Sequence, residues 1–102
     1  MDDRRAGGAG VRVYVAGGMS GLPLNNFPAF FEAAEYLESW GFDVENPATN
    51  PKQKSWAAYM RVAITQLLTC DSIALLDGWQ LSKGARLEAL IARQLGIPAI
   101  FL

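Results

Sequence analysis

The chain has 102 residues, 51% of them hydrophobic, with nine Lys and Arg against ten Asp and Glu for a formal net charge of −1. This is one small domain with enough apolar content to build a core, which excludes disorder over most of its length. It has no basic excess with which to displace counterions from a nucleic-acid polymer. Histidine is absent, which excludes Ser-His-Asp and Cys-His nucleophile pairs and His-ligated zinc. The single cysteine, Cys70, forms no intrachain disulfide and fits a reduced, cytoplasmic setting. No apolar run approaches the roughly 20 residues that span a bilayer. Residues 1–10 (MDDRRAGGAG) lack the hydrophobic stretch of a signal peptide and read as a flexible tail ahead of a single domain over 11–102.

Val11 to Ala16 is a β-rich run ended by Gly17-Gly18, which predicts a buried strand. Met19 to Asn26 reads as a loop. Phe27 to Trp40 predicts a helix with Phe27, Phe30, Phe31, Ala34, Leu37 and Trp40 as its apolar stripe, Asn26 as N-cap and Gly41 as terminator. Phe42 to Glu45 is a second strand stopped by Asn46-Pro47, and Ala48 to Lys54 is loop. Ser55 caps a helix reaching about Thr69, with Trp56, Tyr59, Met60, Ala63, Ile64, Leu67 and Leu68 as its stripe. Ser72 to Asp77 is a nearly all-apolar third strand, as a central parallel strand should be. A loop over Gly78 to Ser82, a helix over Lys83 to Leu95 stopped by Gly96, and a strand over Ile97 to Leu102 complete the chain.

The alternation β-α-β-α-β-α-β implies an α/β fold: a small doubly wound, Rossmann/flavodoxin-like sheet of four parallel strands in order 2-1-3-4, with helices on both faces. Such sheets bind ligands beyond the carboxyl ends of the strands, where the winding direction switches. Here that is the crevice between the first and third strands, flanked by Gly17 to Asn26 and Gly78 to Ser82. Gly17, Gly18 and Gly21 let main chain approach a ligand closely, although a tight turn alone also uses glycine. No GxGxxG or Walker A sequence occurs, so no NAD or nucleoside triphosphate cofactor is expected, and no metal.

Glu88 is the sharper signal. Its neighbours three and four residues away on the last helix are Gly84, Ala85, Ile91 and Ala92, none of them basic. It therefore sits on a small-residue stripe that a sheet would bury, where a carboxylate is costly unless partnered or used; an exposed Glu is the other reading. Asp77 ends the third strand at the crevice, whereas Asp71 opens it at the far end and reads as structural. Tyr14 fits either core or site. Trp79 lies in the site loop, where it could stack on a flat base. Arg86, two residues and so about 200° round the helix from Glu88, faces away from it, towards solvent, a phosphate or a partner.

Tyr14-Val15-Ala16-Gly17, Asp71-Ser72-Ile73, Gly84-Ala85-Arg86-Leu87-Glu88, Ala92 and Gly96-Ile97-Pro98 together resemble the nucleoside 2-deoxyribosyltransferase superfamily over roughly residues 11–102. The likeness is strongest to a short branch with an AGxMSGLP…NFPAF…GWxxSxGAxxE pattern. The resemblance implies a nucleoside or nucleotide substrate and Glu88 as the nucleophile at the sugar C1′, oriented by Tyr14. It also implies phosphate contacts from Ser82, with Ser20 and the loop amides completing an anion site, and a base contact from Asn46. One position departs: where the superfamily usually carries a catalytic Asp, eight residues before Asp71, this chain has Ala63. The acid for the leaving base is then missing, or it comes from elsewhere, from Asp77 or a neighbouring subunit. Three functional expectations follow: a base–deoxyribose-cleaving enzyme, a non-catalytic nucleotide-binding or sensor module, or a domain acting through a homo-oligomer interface.

Overall fold

The computed structural model describes residues 10–102, so residues 1–9 of the N-terminal segment read as a tail lie outside the described residues. Four strands, β1 (Arg12–Ala16), β2 (Asp43–Glu45), β3 (Ser72–Leu75) and β4 (Ala99–Phe101), form one all-parallel sheet in the order β2-β1-β3-β4. Three helices, α1 (Phe27–Ser39), α2 (Trp56–Leu67) and α3 (Lys83–Gln94), connect them. The register places Tyr14 beside Glu45 on one side and Ile73 on the other. No helix among the described residues is long and apolar enough to cross a membrane.

Side chains on a strand alternate between faces, and β1 shows what that does. Val13 and Val15 point into a core with Phe30, Ala33 and Leu37 of α1, together with Ala74 and Leu76. Tyr14 and Ala16 point the other way, to Ala63 and Leu67 of α2, Ala92 of α3, Cys70, Ile73 and Leu75. The sheet is therefore covered by α1 on one face and by α2 and α3 on the other, the doubly wound arrangement that the element order predicts. At the amino end of the sheet, Asp71 accepts a hydrogen bond from the Arg12 backbone N–H (2.9 Å), a structural role. The Arg12 guanidinium reaches Glu45 (Nη2–Oε2, 2.6 Å) and tethers the edge strand β2.

Several boundaries differ from the sequence reading. The third strand stops short of Asp77: Leu76 still donates to Ala16 O (2.9 Å), but the chain then turns at Gly78, which has φ +83°. The last strand pairs only over Ala99–Phe101, because the Ile97 N–H bonds back to Ala92 O (2.8 Å) and closes the end of α3. Phe31 and Trp40 are exposed, since the layer beneath α1 accommodates only Phe30, Ala33, Ala34 and Leu37. Asn26 is not a side-chain cap. Leu24, Asn25 and Asn26 are all left-handed (φ 52°, 52° and 59°), and the Asn26 amide donates to Gly18 O at 3.0 Å. Three consecutive non-glycine residues in that region store strain, on the order of 1–2 kcal/mol each and less for Asn, in the loop that follows β1.

Candidate active site

Glu88 is 5% exposed and is the only buried charged residue among the described residues. Its position follows from the sequence of α3. Ala85, Glu88 and Ala92 recur at three and four residues, and the two alanines, each 1% exposed, bring the helix close to the sheet. Across the gap, β1 presents Tyr14, whose hydroxyl donates to Glu88 Oε2. No Lys or Arg forms an ion pair with Glu88 among the described residues.

Burial without a countercharge pushes the Glu88 carboxyl up to about 7, and the bond from Tyr14 pulls in the opposite direction without cancelling the effect. The Tyr14 phenol is raised far above its ordinary value, first by burial and then by the neighbouring carboxylate, so it remains a protonated donor. Tyr59 of α2 belongs to the same environment: burial, and then the charge of Glu88, push it up to about 12. Its hydroxyl lies 3.3 Å from both Met19 Sδ and Pro47 O, two acceptors for one proton. A carboxyl poised near neutrality and held by a phenol can exchange a proton at pH 7 or, once ionised, act as a nucleophile.

The other predicted residues divide into groups. Gly18 and Ser82 come together from the two crevice loops: a Cβ on Gly18 would lie 3.7 Å from that of Ser82. Ser82 Oγ also caps α3 by accepting from Ala85 N (3.1 Å). Gly17 and Gly84 serve close packing. A Cβ at Gly17 would meet Leu76 at 2.8 Å, and one at Gly84 would meet Met60 Sδ at 3.1 Å, with Trp56 Nε1 at 3.8 Å. Gly21 is left-handed (φ +80°) with open space around it, and Ser20 is exposed. Asn46 Oδ1 accepts from Ala48 N (3.0 Å) and caps the short turn Pro47–Thr49. Trp79 is half-buried against the α2–α3 core, and Asp77 is exposed in the loop after β3. Ala63, where the resemblance expects an acid, is 0% exposed among apolar neighbours and Tyr14.

Sequence reasoning missed the roles of Tyr59 and Met19. The available signal was Ala63 one turn after Tyr59: a small residue there leaves room for a phenol beside the sheet. Trp56, placed by its spacing in the apolar stripe of α2, is exposed instead, and its ring carries the Lys83 ammonium at 4.0 Å. Open volume does not mark this site. A groove of about 520 Å³ follows α1 and another of about 360 Å³ lies between α3 and β4, and neither is lined by Glu88 or Tyr14. Buried charge is the better guide, because an unpaired carboxylate held in the interior is a larger departure from ordinary packing than a shallow surface groove. No group of three or more potential ligand residues capable of holding a metal occurs among the described residues. Comparison with curated proteins finds no match. The family profile described as "Domain of unknown function (DUF4406)" matches residues 11–101, nearly the whole chain, and the protein belongs to that family.

Proposed function

We propose that the protein processes nucleosides or nucleotides, cleaving the base–deoxyribose bond as an N-glycosidase or deoxyribosyltransferase-like enzyme with Glu88 as nucleophile. The observation that carries this reading is the buried Glu88 carboxyl, without a cation and held by the Tyr14 hydroxyl. In the proposed reaction a Glu88 oxygen bonds to C1′ as the C1′–N bond breaks through an oxocarbenium-like transition state, and the base leaves with a proton. Asp77, beyond the carboxyl end of β3, is the candidate donor within the chain. Water then attacks C1′, frees the Glu88 carboxylate, leaves its hydroxyl on the sugar and returns the proton. Tyr14 orients the nucleophile and stabilises its ionised form. Ser82, Gly18, Gly21 and Ser20 are candidates for an anionic group, Asn46 and Trp79 for the base, and Gly17 and Gly84 shape the walls. The setting is cytoplasmic, the substrate is a small molecule rather than a nucleic-acid polymer, no cofactor takes part, and the protein works as a homo-oligomer.

The direct test is incubation with the common deoxynucleosides and their 5′-monophosphates, followed by chromatography for free base. Release is expected, rising with pH through about 7 as Glu88 ionises, and lost in Glu88→Ala. Failure to release base from any of these, or release that survives Glu88→Ala, overturns the reading. Ala63 favours a second one: without the expected acid, the domain would bind nucleotides as a sensor and turn nothing over. Calorimetric binding of a nucleotide without base release would select it.

A further inference from the structure

The helices on the two faces of the sheet carry opposite charge. α1 bears Glu32, Glu35 and Glu38 and no Lys or Arg, and all three acids are exposed. Among them Phe31 and Tyr36 remain 49% and 55% exposed. With Pro28, Glu32, Glu35 and Ser39 they line the open groove of about 520 Å³. On α3 the exposed charges are Lys83, Arg86 and Arg93, while its single acid, Glu88, is turned inward. Arg86, Leu90 and Arg93 recur at four and three residues and so share one side of the helix, with Leu90 54% exposed between the two cations. No salt bridge engages Glu32, Glu35, Arg86 or Arg93 among the described residues.

We propose that the α1 groove is a docking surface for the Arg86–Leu90–Arg93 side of α3 from a second copy of this chain. Charge complementarity selects that occupant: the groove acids Glu32 and Glu35 face the two arginines Arg86 and Arg93, and a net charge of −1 leaves little overall repulsion between copies. The chemistry fits in detail. A guanidinium is best placed where a carboxylate adjoins an aromatic face, and Glu32 and Glu35 beside Phe31 and Tyr36 provide that. Leu90, between the arginines, covers the aromatic surface. The apolar surface left open by Phe31 and Tyr36 is roughly 200 Å², well below the roughly 800 Å² that one partner contributes to a standard interface. The contact is therefore weak and salt-sensitive. Because α1 and α3 lie on opposite sides of the sheet, a copy docked through α3 keeps its own α1 groove free. The contact is head-to-tail and repeats in one direction, giving rings or short chains rather than a symmetric pair.

Sedimentation velocity on the full chain, up to about 1 mM protein, tests this. At low salt the mean mass is expected to rise with concentration and to return to that of a monomer at roughly 0.5 M NaCl. Glu32→Lys/Glu35→Lys and Arg86→Glu/Arg93→Glu should each weaken association by about 100-fold or more. All four side chains are exposed, and circular dichroism verifies that the variants fold. An equimolar mixture of the two variants should associate again, since the unchanged α1 of the arginine variant meets the unchanged α3 of the glutamate variant as in wild type, and the reverse pairing has the signs exchanged. A wild-type monomer at every concentration, association that both variants retain, or a mixture that stays monomeric overturns the proposal.

Discussion

The two layers on either side of the sheet differ in kind, although they share the residues of β1. The layer under α1 is built from Val13, Val15, Phe30, Ala33, Leu37, Ala48, Ala74 and Leu76 and contains no polar side chain in its buried cluster. The layer under α2 and α3 places alanines, Ala16, Ala63, Ala85 and Ala92, around Tyr14 and Glu88. The space they leave is occupied by two phenols and a carboxyl. One strand thus serves packing on its odd-numbered residues and chemistry on Tyr14. The lesson is that the two faces of one short strand can be built independently, an apolar layer on one side and a buried phenol–carboxyl pair on the other.

The largest expected effect breaks the apolar layer. Phe30 is 0% exposed and is the largest side chain in its cluster. Phe30→Ala should cost about 3–5 kcal/mol of stability, measured by urea denaturation, and the loss should be the same at pH 5 and pH 8 because no ionisable group faces the cavity. A pH-dependent loss would mean that the two layers are not separable.

The next effect has the opposite character. The Glu88 carboxyl is raised from 4.5 in the unfolded reference to about 7 in the folded protein. The folded state therefore holds a proton that the unfolded chain has released. That stabilisation is complete below pH 4.5 and lost as the pH rises through 7. Glu88→Gln removes the titration. Relative to the variant, wild type should lose about 3 kcal/mol between pH 4 and pH 8, read from urea midpoints across that range. Parallel pH profiles would show that Glu88 is solvated, and the catalytic proposal would lose its foundation. Tyr14→Phe sharpens the same contrast on a smaller scale. The Tyr14 bond favours the ionised carboxyl, so its removal should raise the Glu88 midpoint above 7, followed through the carboxyl carbon shift by NMR. It should also cost about 2 kcal/mol at pH 8, where the bond is to a charge, and less at pH 5.

How much of this was legible depended on the range of the interaction. The strand order and the two-sided covering followed from alternation and apolar runs, which are local. The inward position of Glu88 was an even choice from helical spacing, because Gly84, Ala85, Ile91 and Ala92 fix a face but not what lies opposite. Tyr14 completed it only through a contact spanning 74 residues. Phe31 and Trp40 misled because a helical stripe of six apolar residues is wider than the surface it covers. The left-handed run Leu24–Asn26 could not be read from composition, since Asn offers a helix cap and a left-handed turn almost equally.

The smallest effect separates structure from chemistry within the polar layer. Unlike α1, both α2 and α3 begin with a serine cap: Ser55 Oγ accepts from Ala58 N at 3.0 Å, and Ser82 Oγ from Ala85 N at 3.1 Å. Replacing either by Ala should cost about 1 kcal/mol. The two differ in what lies nearby, because Ser82 stands beside Gly18 in the crevice and Ser55 does not adjoin that loop. A capping hydroxyl uses a lone pair and keeps its own proton, so Ser82 can cap α3 and still donate to an anionic substrate group. With deoxynucleoside monophosphates as ligands, Ser82→Ala should weaken binding by calorimetry about tenfold, the loss of one charge-assisted hydrogen bond, whereas Ser55→Ala should lose the same stability and keep its affinity. Equal affinities in the two variants would confine Ser82 to its cap and move the phosphate, if one is bound, away from the start of α3.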